Sequence, residues 1–239
     1  MAATSPSRAG DPRPSTNRFV RSYVAIGDSF TAGAAEASKI EGHAQRLWAD
    51  QLAEALRAAA APAEFTYRNL AVPGASSPEV AAGQIEPALA MEPDLATVFC
   101  GANDVLLSVR PDIEAYRAAV SEIFGSLREH VPDAAIITAT CPDLHFLPFR
   151  PRSSERVRQG MNAVSEAIRE LAARYDVLCL DFANHPEAGR RENFAADGIH
   201  QSDEGSRRTA AAFAEAVDEV LGVEIDRRGL ELDSGEEEA

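Results

Sequence analysis

From residue 22 to about residue 221 the chain alternates between two kinds of hydrophobic pattern. Short, β-branched apolar runs fall at 22–27, 65–70, 95–100, 134–141 and 177–182, each close to a glycine, proline or polar cluster, and predict five strands. Between them, apolar residues recur every three or four positions at 45–60, 77–91, 112–130, 153–175 and 203–221, which predicts helices. Trp48, Leu52, Ala55, Leu56 and Ala59 share one face of the first. Phe213, Val217, Val220 and Leu221 share one face of the last. The helix at 77 is opened by Ser76-Ser77-Pro78, a proline that suits a first helical turn. Strands that are apolar throughout, separated by helices, indicate a parallel sheet covered on both faces. The expectation is one α/β domain over 19–222, a three-layer α/β/α sandwich around a five-stranded parallel sheet. An N-terminal arm at 1–18 and an acidic tail at 223–239 would lie outside it as disordered segments.

That arrangement gathers distant residues. In a parallel sheet the loops after the strands share the carboxyl edge, where open α/β folds bind ligands. Ser29 follows the first run, the Pro73-Gly74 pair the second, and Asn103 the third. Topology alone therefore puts them around one pocket.

Composition narrows the partners. With 239 residues, 45% of them hydrophobic, the chain can bury one full core. A net charge of −15 argues against nucleic acid or an anionic membrane surface, which call for basic patches. Part of the acid is local, in Glu231, Asp233 and Glu236 to Glu238. No stretch approaches the roughly 18 uninterrupted apolar residues of a spanning helix, and the start lacks a signal-peptide core. A cytoplasmic protein is the expectation. Cys100, Cys141 and Cys179 are odd in number and sit near the ends of apolar runs, so they read as buried thiols and not as a disulfide frame.

Four clusters carry the chemistry. Ser29 lies in Gly27-Asp28-Ser29-Phe30 at a strand-to-helix turn, where small neighbours leave room for a carbonyl to approach. A helix N-cap serine would favour the same place. Asp197 and His200 stand three apart in Asp-Gly-Ile-His, close enough for the carboxylate to orient one imidazole nitrogen while the other faces the serine. The competing reading there is an Asx-type turn with a surface histidine. Asn103 and Gly74, with the Ser29 backbone N–H, would give three donors for an oxyanion. A side-chain cap and a Pro-Gly β-turn are the plainer readings of those two. Asp28 and Asp104 read as ties between loops. His43, His130 and His185 read as surface residues, and His145 lies in a loop after the fourth run. That loop, 142–152, is unusually apolar, and Phe146, Leu147 and Phe149 could line an acyl pocket or simply pack on the sheet edge.

In this order the clusters resemble the GDSL, or SGNH, hydrolase family. Its markers are a serine in Gly-Asp-Ser, a glycine after the second strand, an asparagine in Gly-x-Asn-Asp and a histidine in Asp-x-x-His. Here they fall on Ser29, Gly74, Asn103 and His200. The first motif carries Phe30 where leucine is usual. The resemblance implies a flavodoxin-like fold and hydrolysis of acyl or acetyl esters of sugars, lipids or small alcohols. It assigns Ser29, His200 and Asp197 to a catalytic triad, and Ser29, Gly74 and Asn103 to the oxyanion hole, with no metal or organic cofactor. An α/β-hydrolase is disfavoured, because its serine sits in Gly-x-Ser-x-Gly after a middle strand. Two other classes stay open. One is a metal-dependent phosphoesterase using Asp28, Asn103, Asp104, Asp197 and His200 as ligands. The other is a non-catalytic binding protein on the same fold.

Overall fold

Gly27 ends the strand on which everything else is hung. The computed structural model of the protein describes residues 19–33, 46–60, 63–144 and 150–230. In it β1 (Ser22–Gly27) pairs in parallel with β2 (Thr66–Asn69) on one side and β3 (Leu95–Phe99) on the other. The sheet continues through β4 (Ala135–Ala139) to β5 (Leu178–Leu180), giving the order β2-β1-β3-β4-β5. Connections run one way from β1 to β2 and the other way from β3 to β5. The loops after β1 and β3 therefore part at the switch point, where flavodoxin-like sheets hold ligands.

The three central strands are buried along their whole length, while β2 and β5 are partly exposed edges. β1 matches its apolar run, and the other four strands are shorter than theirs. Cys100 and Cys141 lie just past β3 and β4 and are buried all the same. Hydrophobicity reports burial, and burial continues past the last ladder hydrogen bond.

Seven α-helices occur among the described residues: α1 (Ser29–Ala32), α2 (Trp48–Ala60), α3 (Ser77–Leu89), α4 (Ala102–Leu106), α5 (Ile113–His130), α6 (Pro151–Arg174) and α7 (Asp203–Leu221). On one side of the sheet α2 packs with α7; on the other α5 packs with both α3 and α6. The short helices α1 and α4 were not expected, because neither is long enough to show a hydrophobic period. Between α2, α7 and the sheet lies an aromatic cluster. Trp48 stacks on Phe213 with centroids 4.2 Å apart, and Phe99 and Phe182 close around them. The Trp48 indole N–H donates to the Phe30 carbonyl at 2.8 Å, joining this core to the Ser29 turn.

The carboxyl end of the body differs from expectation. Ser202 caps α7 by accepting from the Gly205 N–H, and Gly222 ends it in the left-handed conformation. The chain then folds back instead of leaving: Val223, Ile225 and Leu230 are buried in the core. Three apolar residues among four charged ones and a glycine make too weak a pattern to read as packed, and the folded body extends past the expected boundary at 222. The arm at 1–18, the end of the tail at 231–239, and the proposed pocket residues Phe146, Leu147 and Phe149 lie outside the described residues. No described helix is long and apolar enough to cross a membrane.

Candidate active site

The chain leaves β1 through a turn with no slack. A Cβ at Gly27 would sit 2.1 Å from the Phe99 carbonyl oxygen, so only glycine lets β1 and β3 approach this closely. Asp28 then caps α1, its carboxylate accepting the Phe30 N–H at 2.9 Å. The cap is therefore Asp28, and Ser29 is the first helical residue, with its side chain free for other work. Ser29 is 7% exposed, and its N–H has no acceptor among the described residues.

The candidate base sits on a small hairpin just before α7. Phe194 and Gln201 form an antiparallel bridge, and the Ala195 N–H donates to the His200 carbonyl at 2.7 Å. Inside the turn one oxygen of Asp197 accepts the N–H groups of Ile199 and His200 at 2.9 and 3.0 Å. Its other oxygen meets His200 Nδ1 at 2.6 Å. His200 Nε2 lies 3.1 Å from the Ser29 hydroxyl. The Asx turn and the Asp–His pair, competing readings of the sequence, are both present and use different oxygens of one carboxylate. Burial pushes the Asp197 carboxyl up, but the His200 ring and the two amides outweigh it and hold the group below its ordinary value.

Two residues that no sequence pattern marked hold this hairpin. The Arg191 guanidinium donates to the carbonyls of Phe194 and Ala195 at 2.7 and 2.8 Å. Asn193 is buried and donates to the Glu187 carbonyl at 2.6 Å, while Arg208 of α7 donates to its side-chain oxygen at 2.8 Å. They lie in the nonperiodic stretch before the Asp-Gly-Ile-His motif, where nothing but the nearness of the motif could have pointed to them.

The opposite wall comes from the loops after β2 and β3. Val72 to Ala75 form a β-turn closed by the Ala75 N–H on the Val72 carbonyl at 3.2 Å, with Gly74 at φ 81°. The Gly74 N–H has no acceptor among the described residues. Asn103, in the first turn of α4, donates one side-chain N–H to the Ala75 carbonyl at 3.0 Å, which leaves its second N–H for another acceptor. Beside it the Asp104 carboxylate accepts the Ser77 hydroxyl at 2.9 Å and the Ser77 N–H at 3.1 Å, tying α4 to the start of α3.

A serine, an imidazole and a carboxylate stand hydrogen-bonded in series, an arrangement that acyl transfer can use. The sequence profile of the GDSL-like lipase/acylhydrolase family matches residues 25–208. The chain belongs to this family. It is accordingly a hydrolase acting on ester bonds. Similar solved structures include the lipase/acylhydrolase from Enterococcus faecalis, 23% identical with a TM-score of 0.63, covering 85% of this chain and 98% of its own. A mutant of Axe2, an acetyl-xylooligosaccharide esterase from Geobacillus stearothermophilus, is 19% identical with a TM-score of 0.64, covering 87% and 98%. An acetyl xylan esterase is 18% identical with a TM-score of 0.61, covering 82% and 99%. At these identities the likeness is one of fold, the SGNH hydrolase fold. No curated protein matches the chain in sequence.

Asp28 and Asp104, the acids beside Ser29 and Asn103, each have a local partner. Burial pushes the Asp28 carboxyl up to about 7, against the opposing effect of the Phe30 amide. Asp104 is raised by burial as well, partly offset by Ser77. The acids once weighed as metal ligands thus face separate partners, and no three His, Cys, Asp or Glu side chains gather in metal-holding geometry among the described residues. His130 and His185 are engaged on exposed segments. A cavity of about 360 Å³ opens behind the serine turn. Its walls include Phe30, Phe99, Leu180, Phe182 and Phe194, with Pro142 as the contribution of the 142–152 loop.

Proposed function

We propose that the protein is a serine esterase that cleaves short acyl or acetyl esters of small alcohols, sugars or lipids in the cytoplasm, without a metal or organic cofactor. The observation that carries this is His200, bonded through Nδ1 to Asp197 and through Nε2 to Ser29. In the first half-reaction Nε2 takes the hydroxyl proton as Ser29 Oγ bonds to the ester carbonyl carbon. Charge moves to the carbonyl oxygen, which the N–H groups of Ser29 and Gly74 and the second N–H of Asn103 stabilise. Asp197 holds the imidazolium in place. Collapse of the intermediate breaks the carbon–alkoxy bond, and His200 returns its proton to the leaving alcohol. In the second half-reaction water loses a proton to His200 and attacks the acyl-enzyme; the acid leaves and Ser29 regains its proton.

The unpaired N–H groups of Ser29 and Gly74 support the oxyanion assignment: Ser29 is buried, where a donor without an acceptor is costly unless a ligand supplies one, and the exposed Gly74 N–H is open to an incoming oxygen. The acetyl esterases among the similar structures support the short acyl group. The test is hydrolysis of p-nitrophenyl esters from acetate to palmitate by the wild type and Ser29→Ala side by side. Turnover that vanishes in the variant and falls with chain length is the expected result. Equal rates in the two proteins would overturn the reading.

A further inference from the structure

Ser29 and Gly74 lie on different loops, yet the backbone of one residue, Gly27, is tied to both. The Gly27 carbonyl accepts the Val72 N–H at 3.1 Å, and Val72 opens the turn that carries Gly74. Ser29 follows Gly27 by two residues along the chain. A single side chain engages both the N–H and the carbonyl of Gly27. Gln84, in the middle of α3, accepts the Gly27 N–H through Oε1 at 2.8 Å and donates through Nε2 to the Gly27 carbonyl at 2.9 Å. It is 3% exposed and belongs to no motif.

We infer that Gln84 is a positioning residue that sets the separation between the nucleophile and the oxyanion donors, an inference that rests on the proposed roles of Ser29 and Gly74. A carboxamide offers a neutral donor and acceptor side by side, matching the N–H and carbonyl that one extended residue presents, and Gln84 has the reach to bring one from α3. Phe99 crowds Gly27 as well, since a Cβ there would meet its carbonyl oxygen at 2.1 Å. The same helix begins at Ser77, which is bonded to Asp104 beside Asn103. One rigid element therefore touches the nucleophile turn through Gln84 and the Asn103 turn through Ser77. An apolar side chain at 84 would leave the Gly27 N–H buried without its acceptor and release the carbonyl from one of two donors. The turn would relax, and misplacement by about 1 Å costs on the order of 10²-fold in rate.

The experiment compares Gln84→Leu and Gln84→Glu with the wild type, with Val80→Ala as a packing control. Val80 is a fully buried residue of the same helix with no bond to Gly27. Rates of p-nitrophenyl acetate hydrolysis and of Ser29 labelling by a fluorophosphonate are measured on protein shown folded by circular dichroism. Gln84→Leu should lose about 10- to 100-fold in kcat and labelling rate, with KM within about threefold. Val80→Ala should keep its kcat even if its Tm falls further. In Gln84→Glu the introduced carboxyl can donate to the Gly27 carbonyl only when protonated. The ratio of its kcat to the wild-type value should therefore rise as pH is lowered from 8 to 5.5. A normal kcat in folded Gln84→Leu, an equal loss in Val80→Ala, or a flat ratio for Gln84→Glu would each overturn the inference. If Gln84→Leu does not fold, the ratio alone decides. Ser29→Ala run in parallel separates the two levels: if it is inactive while the Gln84 variants are normal, only the role of Gln84 fails, and if it stays active both fall.

Discussion

The two halves of the candidate site are held by different means. Ser29 stands at the end of a central strand and is braced on every side by the core: Phe99 against Gly27, the Trp48 indole on the Phe30 carbonyl, Gln84 on the Gly27 backbone. Asp197 and His200 stand on a hairpin whose order comes from its own hydrogen bonds and from Arg191, with side chains 27% and 20% exposed. The proposed nucleophile is thus placed by the stability of the whole fold. The proposed base is placed by a few local contacts that can fail while the fold survives. Damage near Ser29 should appear in stability and activity together, and damage to the hairpin in activity alone.

The strongest test removes the nucleophile itself. Ser29→Ala should lower kcat by about 10³-fold or more while leaving Tm nearly unchanged, because a small hydroxyl is all that is lost. Next comes the oxyanion wall: Asn103→Ala should lower kcat by roughly 10²–10³-fold. A change confined to KM would make Asn103 a substrate-binding residue instead. The comparison itself is sharpened by Trp48→Ala and Arg191→Met. Trp48→Ala opens the aromatic cluster and should cost about 3–5 kcal/mol in urea unfolding, with activity following the folded fraction. Arg191→Met should lower kcat about tenfold, since it loosens His200 without moving Ser29, and leave Tm within a few degrees. A large Tm loss in Arg191→Met would show that the hairpin belongs to the core after all.

The smallest effect concerns Asp28. Its folded carboxyl is raised from 3.8 to about 7, so the native state binds a proton that the unfolded chain gives up earlier. Its contribution to stability is fully present below the unfolded value and is lost as pH rises through about 7. Asp28→Asn should remove that part of the decline. Urea titrations of both proteins at steps between pH 4 and 8 check it, and parallel curves would refute it.

How far the sequence was legible follows the same division. The five strands and the long helices were readable because each buries a face, and burial leaves a period in the sequence. Ser29, Asp197 and His200 were readable because they lie in short motifs whose spacing itself makes the geometry. The supports were not. Gln84 looks like one more polar residue in a helix, and its value appears only when α3 is laid against the end of β1. Asn193 and Arg191 act from a stretch with no period at all. The buried trio Val223, Ile225 and Leu230 was hidden by its charged neighbours. Hydrogen bonds between distant segments leave no periodic trace, so the scaffold of the site is harder to read than the site.

The sole tryptophan of the chain, Trp48, has its indole N–H fixed to the carbonyl of the residue that follows Ser29. An indole's emission responds to its hydrogen bond and to the field around it. Under the proposed mechanism each acyl group that arrives at Ser29 and each that departs should shift that emission, which would give the unlabelled protein its own optical record of turnover.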